Sequence, residues 1–278
     1  MRTPVSSKKP AWLAVFLICA ACLGAHCGDI PAPSDQVTDL ETLIDNMSER
    51  LERIQSARFQ MTSEVYTEDL RGANLKQIVL VRQETDIHVQ LLDPFNQPLQ
   101  IMVNSWPGGL RVLDYETSTH YYGSSTGENM SRFIPFYLTP HDVVRILLGG
   151  PPLTELCLDQ FISEHNLSWN ADNGVYEINL PDLGMSSVTL GIRHDSWTMA
   201  YLQYDNDADG TPEWEIVTGD IRSVDGEQMP YIFRVSGDNE EITMVVESVE
   251  LNAALDDALF VLPPPPGMES LPLDPDTP

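Results

Sequence analysis

Three of the four cysteines of this chain lie close together, in the stretch AWLAVFLICAACLGAHCGD. They are Cys19, Cys22 and Cys27. Thiols at such spacing could form a disulfide, hold a metal ion or carry a covalent lipid, and the neighbouring residues decide between these chemistries. The fourth cysteine, Cys157, has no sequence neighbour of its kind, and we expect it to be a small buried hydrophobic residue.

The residues around this cluster have the order of a signal peptide. Residues 1–9 contain Arg2, Lys8 and Lys9 and no acidic residue, and residues 11–20 are almost wholly apolar. An apolar run of that length is too short for a permanent transmembrane helix, and a basic start followed by an apolar run is typical of a secretory signal. The sequence therefore predicts a signal peptide over residues 1–21.

A cysteine directly after such a segment is the attachment residue of bacterial lipoproteins, and a small residue must precede it. Cys22 follows Ala21, whereas Cys27 follows a histidine. We therefore predict lipidation of Cys22, with Cys27 as the alternative. Residues 22–36 would then form the lipid anchor and a Pro- and Asp-rich tether. Plain secretion with cleavage near Ala25 is the competing interpretation.

One acidic phrase, DNDADGTPEWE, could bind a hard cation. Asp205, Asp207 and Asp209 alternate and are followed by Gly210, as at the start of a calcium-binding loop. The twelfth position is Ile216 rather than glutamate, so the phrase is not an EF-hand. We expect either a solvated hairpin tip or a weak Ca²⁺ site, and no other cofactor; a rise of the melting temperature with added Ca²⁺ distinguishes the two.

The net charge excludes two classes of partner. The chain has 42 acidic and 15 basic residues, which gives a formal net charge of −27. Such a surface repels phosphate backbones, so we expect no nucleic-acid partner and no electrostatic attraction to anionic lipid. Repulsion between copies favours a monomer. Apolar residues make up 42% of the chain, which is enough to form a buried core.

The elements that would position these residues are mainly strands. Residues 37–56 have apolar side chains at three- and four-residue spacing, which predicts an amphipathic helix. Six runs that alternate with period two follow up to residue 123, and six more end near residue 251. Between them, YLTPHDVVRILLGGPP predicts a second helix, with Thr139 as its cap and Pro140 in its first turn.

This order predicts a fold of the mainly β (α+β) class. Since no stretch alternates strands with helices, a doubly wound nucleotide-binding sheet is excluded. We expect a single domain over residues 37–270 that forms an unclosed antiparallel β-barrel of about 11–12 strands. The N-terminal helix and a central helical insertion would cover its concave face. Residues 271–278 are expected to be a flexible tail.

Three phrases in this framework resemble the LolA/LolB superfamily of bacterial lipoprotein carriers, its LolB-like members in particular. They are LLDPFNQPLQIMVNSWPGGLRVLDYETSTHYYG, YLTPHDVVRILLGGPP and SVELNAALDDALFVLPPPPGME. In the order of elements the likeness extends over about residues 38–270. Asn96 departs from the family pattern, in which glycine is commoner, but asparagine also tolerates a positive φ. The resemblance implies a space between sheet and helices that holds acyl chains in the bacterial envelope.

The expected site residues are apolar. From the alternation of the strands and the spacing of the second helix, we expect a lipid cavity lined by Leu99, Ile101, Val103, Leu110, Val112, Val143, Leu147 and Leu148. Trp106, next to Pro107, is a candidate for an exposed loop tip that contacts a membrane. The folded part contains no nucleophile elbow, zinc-binding His-Glu-x-x-His or phosphate-binding loop, so we expect no catalytic residue and no enzyme.

Together these expectations describe a lipid-anchored envelope protein that faces the periplasm, in the outer membrane. It would bind the acyl chains of lipids or lipoproteins, with a role in outer-membrane lipoprotein localisation. The alternative is a structural or interaction lipoprotein that has a filled core and belongs to an envelope complex.

The anchor assignment predicts a labelling result. Cells that express a Cys22→Ser variant and are fed labelled palmitate should yield unlabelled protein, because the acylated sulfur is lost, whereas a Cys27→Ser variant should keep the label. The opposite pattern would move the anchor to Cys27, and an unlabelled wild-type protein would contradict N-terminal lipidation.

Overall fold

The computed structural model describes residues 29–66, 71–83, 85–134, 137–152, 167–180, 187–205, 212–237 and 240–274. The predicted signal peptide and the two candidate anchors, Cys22 and Cys27, lie outside these ranges and stay predictions, as does the expectation for Cys157. Within the described part of the chain, no helix combines the length and the apolar character needed to cross a bilayer.

The described residues form one large β-sheet. Its first six strands are β1 Ser56–Tyr66, β2 Arg71–Arg82, β3 Asp86–Leu92, β4 Pro98–Ser105, β5 Gly109–Asp114 and β6 Thr119–Gly123. The others are β7 Leu167–Asn170, β8 Val175–Leu180, β9 Ser187–Arg193, β10 Met199–Asp205, β11 Pro212–Val224, β12 Glu227–Gly237, β13 Glu240–Leu251 and β14 Glu269–Pro272.

The strand order shows that the sheet does not close. It reads β14-β6-β5-β4-β3-β2-β1-β13-β12-β11-β10-β9-β8-β7, and every neighbouring pair is antiparallel except β14 and β6. The first and second halves of the chain thus meet where β1 pairs with β13. The predicted mainly β, unclosed antiparallel barrel is confirmed. The described ranges contain fourteen strands rather than the predicted 11–12, because β7 and β14, of four residues each, are too short to give an alternating signal.

Three α-helices and one 3₁₀ helix accompany the sheet in the described ranges. They are α1 Leu40–Glu52, α2 Gly127–Met130, α3 Pro140–Leu147 and the 3₁₀ helix Asp257–Phe260. Helix α1 begins later than its apolar periodicity predicts, because the side chain of Asp39 accepts the Thr42 backbone N–H and caps it there.

Helix α3 begins where its sequence predicts. The Thr139 hydroxyl accepts the backbone N–H of Asp142, and the Asp142 carboxylate accepts that of Thr139, which completes a capping box in front of Pro140. After the helix, Gly149 has φ +81°, a conformation that favours glycine. The chain therefore turns sharply at the predicted Gly-Gly-Pro-Pro stop.

Apolar residues are buried on both faces of part of the sheet. On the concave face, α1 and α3 pack against β1 and strands of both halves, with Leu43, Phe59 and Leu147 in the main core. On the convex face, Phe260 of the 3₁₀ helix packs against Leu80 of β2 and Val103 of β4. The segment after β13 therefore crosses the outside of the sheet.

Residues 271–274, expected in a flexible tail, are instead part of the fold. Strand β14 pairs in parallel with β6, and Leu273, only 4% exposed, joins the cluster of Met102 and Met130. The Asp274 carboxylate accepts hydrogen bonds from the Ser124 backbone, from its hydroxyl and from the Asn129 amide. The sequence gives no periodic signal here because the contacts are made by two residues beyond a short edge strand.

Candidate functional site

An apolar cavity of about 490 Å³ lies between the concave face of the sheet and the helical segments. Its described lining contains eighteen apolar residues: Met61, Val65, Leu75, Val79, Val89, Leu91, Met102, Met130, Phe133, Ile134, Leu138, Val143, Ile146, Leu147, Ile216, Val235, Ile242 and Met244. Four polar residues complete it: Gln77, Gln100, Ser131 and Arg132. This volume and character are those of a binding site for a small apolar ligand.

Strand register explains why these side chains converge. Val79 of β2 lies opposite Val89 of β3, which lies opposite Met102 of β4. Because side chains alternate between faces, residues that are paired in register share a face, and a row of inward apolar residues runs across the strands. Two residues further along the strands, a second and more polar row on the same face is formed by Gln77, Leu91 and Gln100.

Three predicted lining residues, Leu99, Ile101 and Val103, lie on the opposite face of β4, and the expectation for them is corrected. Gln100 and Met102 of the same strand line the cavity instead. Ile101 and Val103 pack in the convex cluster with Phe260. The run Ile-Met-Val is apolar on both faces because the C-terminal segment covers the convex side. The sequence pattern therefore did not show which of these side chains point toward the cavity.

The other predicted residues lie on the inner side of the sheet. Val143 and Leu147 of α3 line the cavity. Leu110 and Val112 belong to the adjoining cluster with Met130, and Leu148 is buried in the main core.

Sequence reasoning missed one wall of the cavity altogether. This wall is formed by Met130, Ser131, Arg132, Phe133 and Ile134, of which Met130 ends the short helix α2 and the rest follow it. A four-residue helix and an irregular segment carry no periodic pattern, so nothing in the sequence marked it. The lining residues of β12 and β13, in contrast, could have been found from strand alternation.

A buried arginine fixes the helices over this cavity. Arg50 of α1 is 1% exposed and donates to the carbonyl oxygens of Leu148 (2.7 Å) and Gln228 (2.6 Å). Leu148 is the C-cap residue of α3, so a cation caps the carbonyl end of that helix, where the helix dipole favours positive charge. Arg50 thus joins α1, α3 and β12 at one point.

The electrostatics of Arg50 reflect its burial. Loss of hydration lowers the pKa of Arg50 to about 10, although Glu227 nearby acts in the opposite direction. Glu227 itself accepts two hydrogen bonds from Arg53, whose side chain is mostly exposed, and the Arg53 hydrogen bond lowers the pKa of Glu227. The buried arginine therefore relies chiefly on carbonyl oxygens rather than on a carboxylate partner.

Two large aromatic side chains are exposed at opposite ends of β4. Trp106, in the turn between β4 and β5, is 86% exposed, and its backbone N–H donates to the Asp86 carboxylate. Phe95, in the turn between β3 and β4, is 82% exposed and lies at the end where Leu91 and Gln100 line the cavity. The sequence singled out Trp106 but not Phe95.

The acidic phrase falls largely outside the described residues. Asp207 and Asp209 lie there, and so does the side chain of Asp205, whose backbone ends β10. In the described ranges, no group of three or more histidine, cysteine or carboxylate side chains is arranged to hold a metal ion. The Ca²⁺ site therefore stays a prediction.

Comparison with solved structures identifies the fold. No family model matches the chain, and no curated protein matches its sequence. A DUF1329 family protein from Desulfovibrio piger is 12% identical with a TM-score of 0.53, covering 79% of this chain and 95% of its own. A putative outer membrane lipoprotein-sorting protein domain from Vibrio parahaemolyticus is 8% identical with a TM-score of 0.52, covering 79% and 94%.

A LolA superfamily protein from Nitrosomonas europaea is 13% identical with a TM-score of 0.50, covering 82% of this chain and 99% of its own. These alignments extend over most of both chains. The fold is therefore LolA/LolB-like, as the three sequence phrases predicted.

The position of Arg50 predicts an unequal effect of two neighbouring substitutions. Arg50→Met should lower the free energy of unfolding by about 2–3 kcal/mol, because it leaves buried carbonyl oxygens without their donor. Arg53→Met removes an ion pair and a hydrogen bond to the Glu49 carbonyl, both made by a mostly exposed side chain, and should change it by less than about 1 kcal/mol. Urea unfolding followed by circular dichroism measures both. Equal effects, or a more stable Arg50→Met variant, would contradict the assigned role of Arg50.

Proposed function

We propose that this protein binds the acyl chains of lipids or lipoproteins in the cavity between sheet and helices and catalyses no reaction. The observation that carries the proposal is the apolar cavity of about 490 Å³, whose walls come from the concave sheet, α3 and the segment after α2. A space of this kind favours a carrier over the alternative scaffold with a filled core, because an apolar void without a ligand forfeits packing contacts.

We further propose that the protein acts as a monomer in the bacterial envelope, held by an N-terminal lipid and facing the periplasm. The basic and apolar N-terminal segment and the cysteines that follow it support this location. A role in outer-membrane lipoprotein localisation is the finer form of the proposal. It is consistent with the LolA/LolB-like fold, but fold alone does not define an activity.

Filling the cavity should abolish binding. A Val143→Trp variant inserts an indole from α3 into the cavity, and we expect it to bind the neutral apolar dye N-phenyl-1-naphthylamine at least about tenfold more weakly than the wild type, since a ligand and the indole would occupy the same space. The matched control is Val245→Trp, on an exposed position of the convex face of β13. Fluorescence titration measures both.

Two outcomes of the dye titration would contradict binding in the cavity. If the dye binds the wild type and Val143→Trp equally, with both variants folded by circular dichroism, then the cavity is not the binding site. If the wild type binds no dye and no acyl lipid, the carrier function itself is contradicted and the packed scaffold is favoured.

We propose that Trp106 contacts the membrane surface. Its exposure supports this, since burial of a large apolar side chain out of water is favourable by about 1.5–3 kcal/mol of free energy. The unacylated mature chain should therefore co-sediment with phosphatidylethanolamine vesicles about tenfold less as Trp106→Ser. Phe95→Ser, an equally exposed change at the other end of β4, serves as the control. A loss confined to Phe95→Ser would move the contact to that end.

A further inference from the structure

One charged side chain, Arg132, stands among the described lining residues of the cavity. The other polar groups of the described lining are the amides of Gln77 and Gln100 and the hydroxyl of Ser131. The described lining contains no carboxylate; Glu128 and Asp274, which interact with the guanidinium electrostatically, both lie outside it. A ligand that carries a negative charge would therefore find a cation there, and a ligand that carries a positive charge would meet repulsion.

Arg132 lies where the cavity meets solvent. Its side chain is 44% exposed, whereas Met130, two residues earlier, is fully buried. The contact of Arg132 with Glu128 is long, 3.9 Å, and Glu128 is 78% exposed. Such a pair contributes little, so the guanidinium can exchange this partner for another anion. A guanidinium also offers parallel N–H donors that match a carboxylate or a phosphate group.

The size of the cavity limits the number of acyl chains. Its volume of about 490 Å³ lies within the roughly 300–1,000 Å³ of sites that each hold one small-molecule ligand. One long acyl chain is a ligand of this size, and the three chains of a fully acylated lipoprotein anchor would need roughly three times the space of one.

The negative charge of the rest of the protein limits where an anionic ligand can bind. With a net charge of −27, the surface as a whole repels anions. An anionic amphiphile can bind only where a local cation offsets that repulsion. A cation at the mouth of an otherwise apolar cavity provides this offset at the point where a head group would emerge.

We propose that the ligand is an amphiphile with a single acyl chain and an anionic head group, and that Arg132 binds this head group while the chain fills the cavity. The anion is the carboxylate of a fatty acid or the phosphate of a lysophospholipid, which share this chemistry. The proposal names the ligand of the cavity and rests on the proposed carrier function.

Competition for the dye N-phenyl-1-naphthylamine tests the proposal, with all lipids below their micellar concentrations. On the wild-type protein, palmitate should displace the dye at about tenfold lower concentration than hexadecanol, which corresponds to about 1.4 kcal/mol. The same comparison of palmitoyl lysophosphatidate with monopalmitoylglycerol shows which of the two anions is preferred.

Two variants assign the preference to Arg132. In Arg132→Gln the tenfold advantage of palmitate should disappear while displacement by hexadecanol is unchanged, which also shows that the cavity is intact. Arg58→Gln is the matched control, because Arg58 is 45% exposed and has a similarly long ion pair, 3.8 Å to Glu250, but does not line the cavity. This variant should keep the advantage.

The outcomes separate this inference from the proposed function. If palmitate and hexadecanol displace the dye equally, or if Arg132→Gln keeps the palmitate advantage, the inference is wrong and the carrier function stands. A diacyl phospholipid that displaces the dye at a lower concentration than palmitate overturns the single-chain part. If no lipid displaces the dye, both proposals are contradicted.

Discussion

The structure depends on one geometric constraint, which is an apolar concave sheet face larger than the described helices that cover it. The fourteen strands of the described ranges curve without closing, and their inner face is apolar in both halves of the chain. At a rise of 1.5 Å per residue, α1 and α3, of 13 and 8 residues, are only about 20 Å and 12 Å long. These helices bury the centre of the face, and the segment after α2 extends over one side. The cavity is the part of this face that no described segment packs against directly.

Both edge strands of this sheet, β7 and β14, have only four residues, which matters because a long unpaired edge is a template for aggregation. At one edge, beside strand β7, the Ile30 backbone N–H donates to the Ala171 carbonyl oxygen. The Ile30 carbonyl oxygen accepts a hydrogen bond from the Trp169 indole N–H. At the other, β14 covers β6, and Asp274 secures the loop before α2. The same C-terminal segment crosses the convex face, so one piece of chain stabilises the outside of the sheet and supports a wall of the cavity.

The sequence was sufficient for the fold class because that class depends on periodicity. Alternation over twelve long runs and two capped helices was enough to predict an open antiparallel sheet, and the capping box at Thr139 lies where its residues indicate. The site was only half predictable. Val143 and Leu147 follow from helical spacing, but Ile101 and Val103 were assigned to the wrong face. Alternation identifies the inner face only when the outer face is polar, and here a distant C-terminal segment buries the outer face of β4 as well.

The most informative residues, Arg50 and Arg132, carry no sequence signal at all. Arg50 looks like an ordinary polar position of an amphipathic helix, and only the fold brings the carbonyl oxygens of Leu148 and Gln228 to it. Arg132 follows a four-residue helix, and only the fold places it in the lining of an apolar cavity. Both depend on contacts between segments that are far apart in the chain, which local patterns do not encode.

If the cavity holds an acyl chain, native mass spectrometry of the protein extracted from its own membranes should detect the bound lipid. We expect a protein ion whose mass exceeds that of the processed chain by one bound lipid, and dissociation of this ion should release a species with a single acyl chain. Native ions that carry no lipid, from protein that is folded and extracted without delipidation, would contradict it.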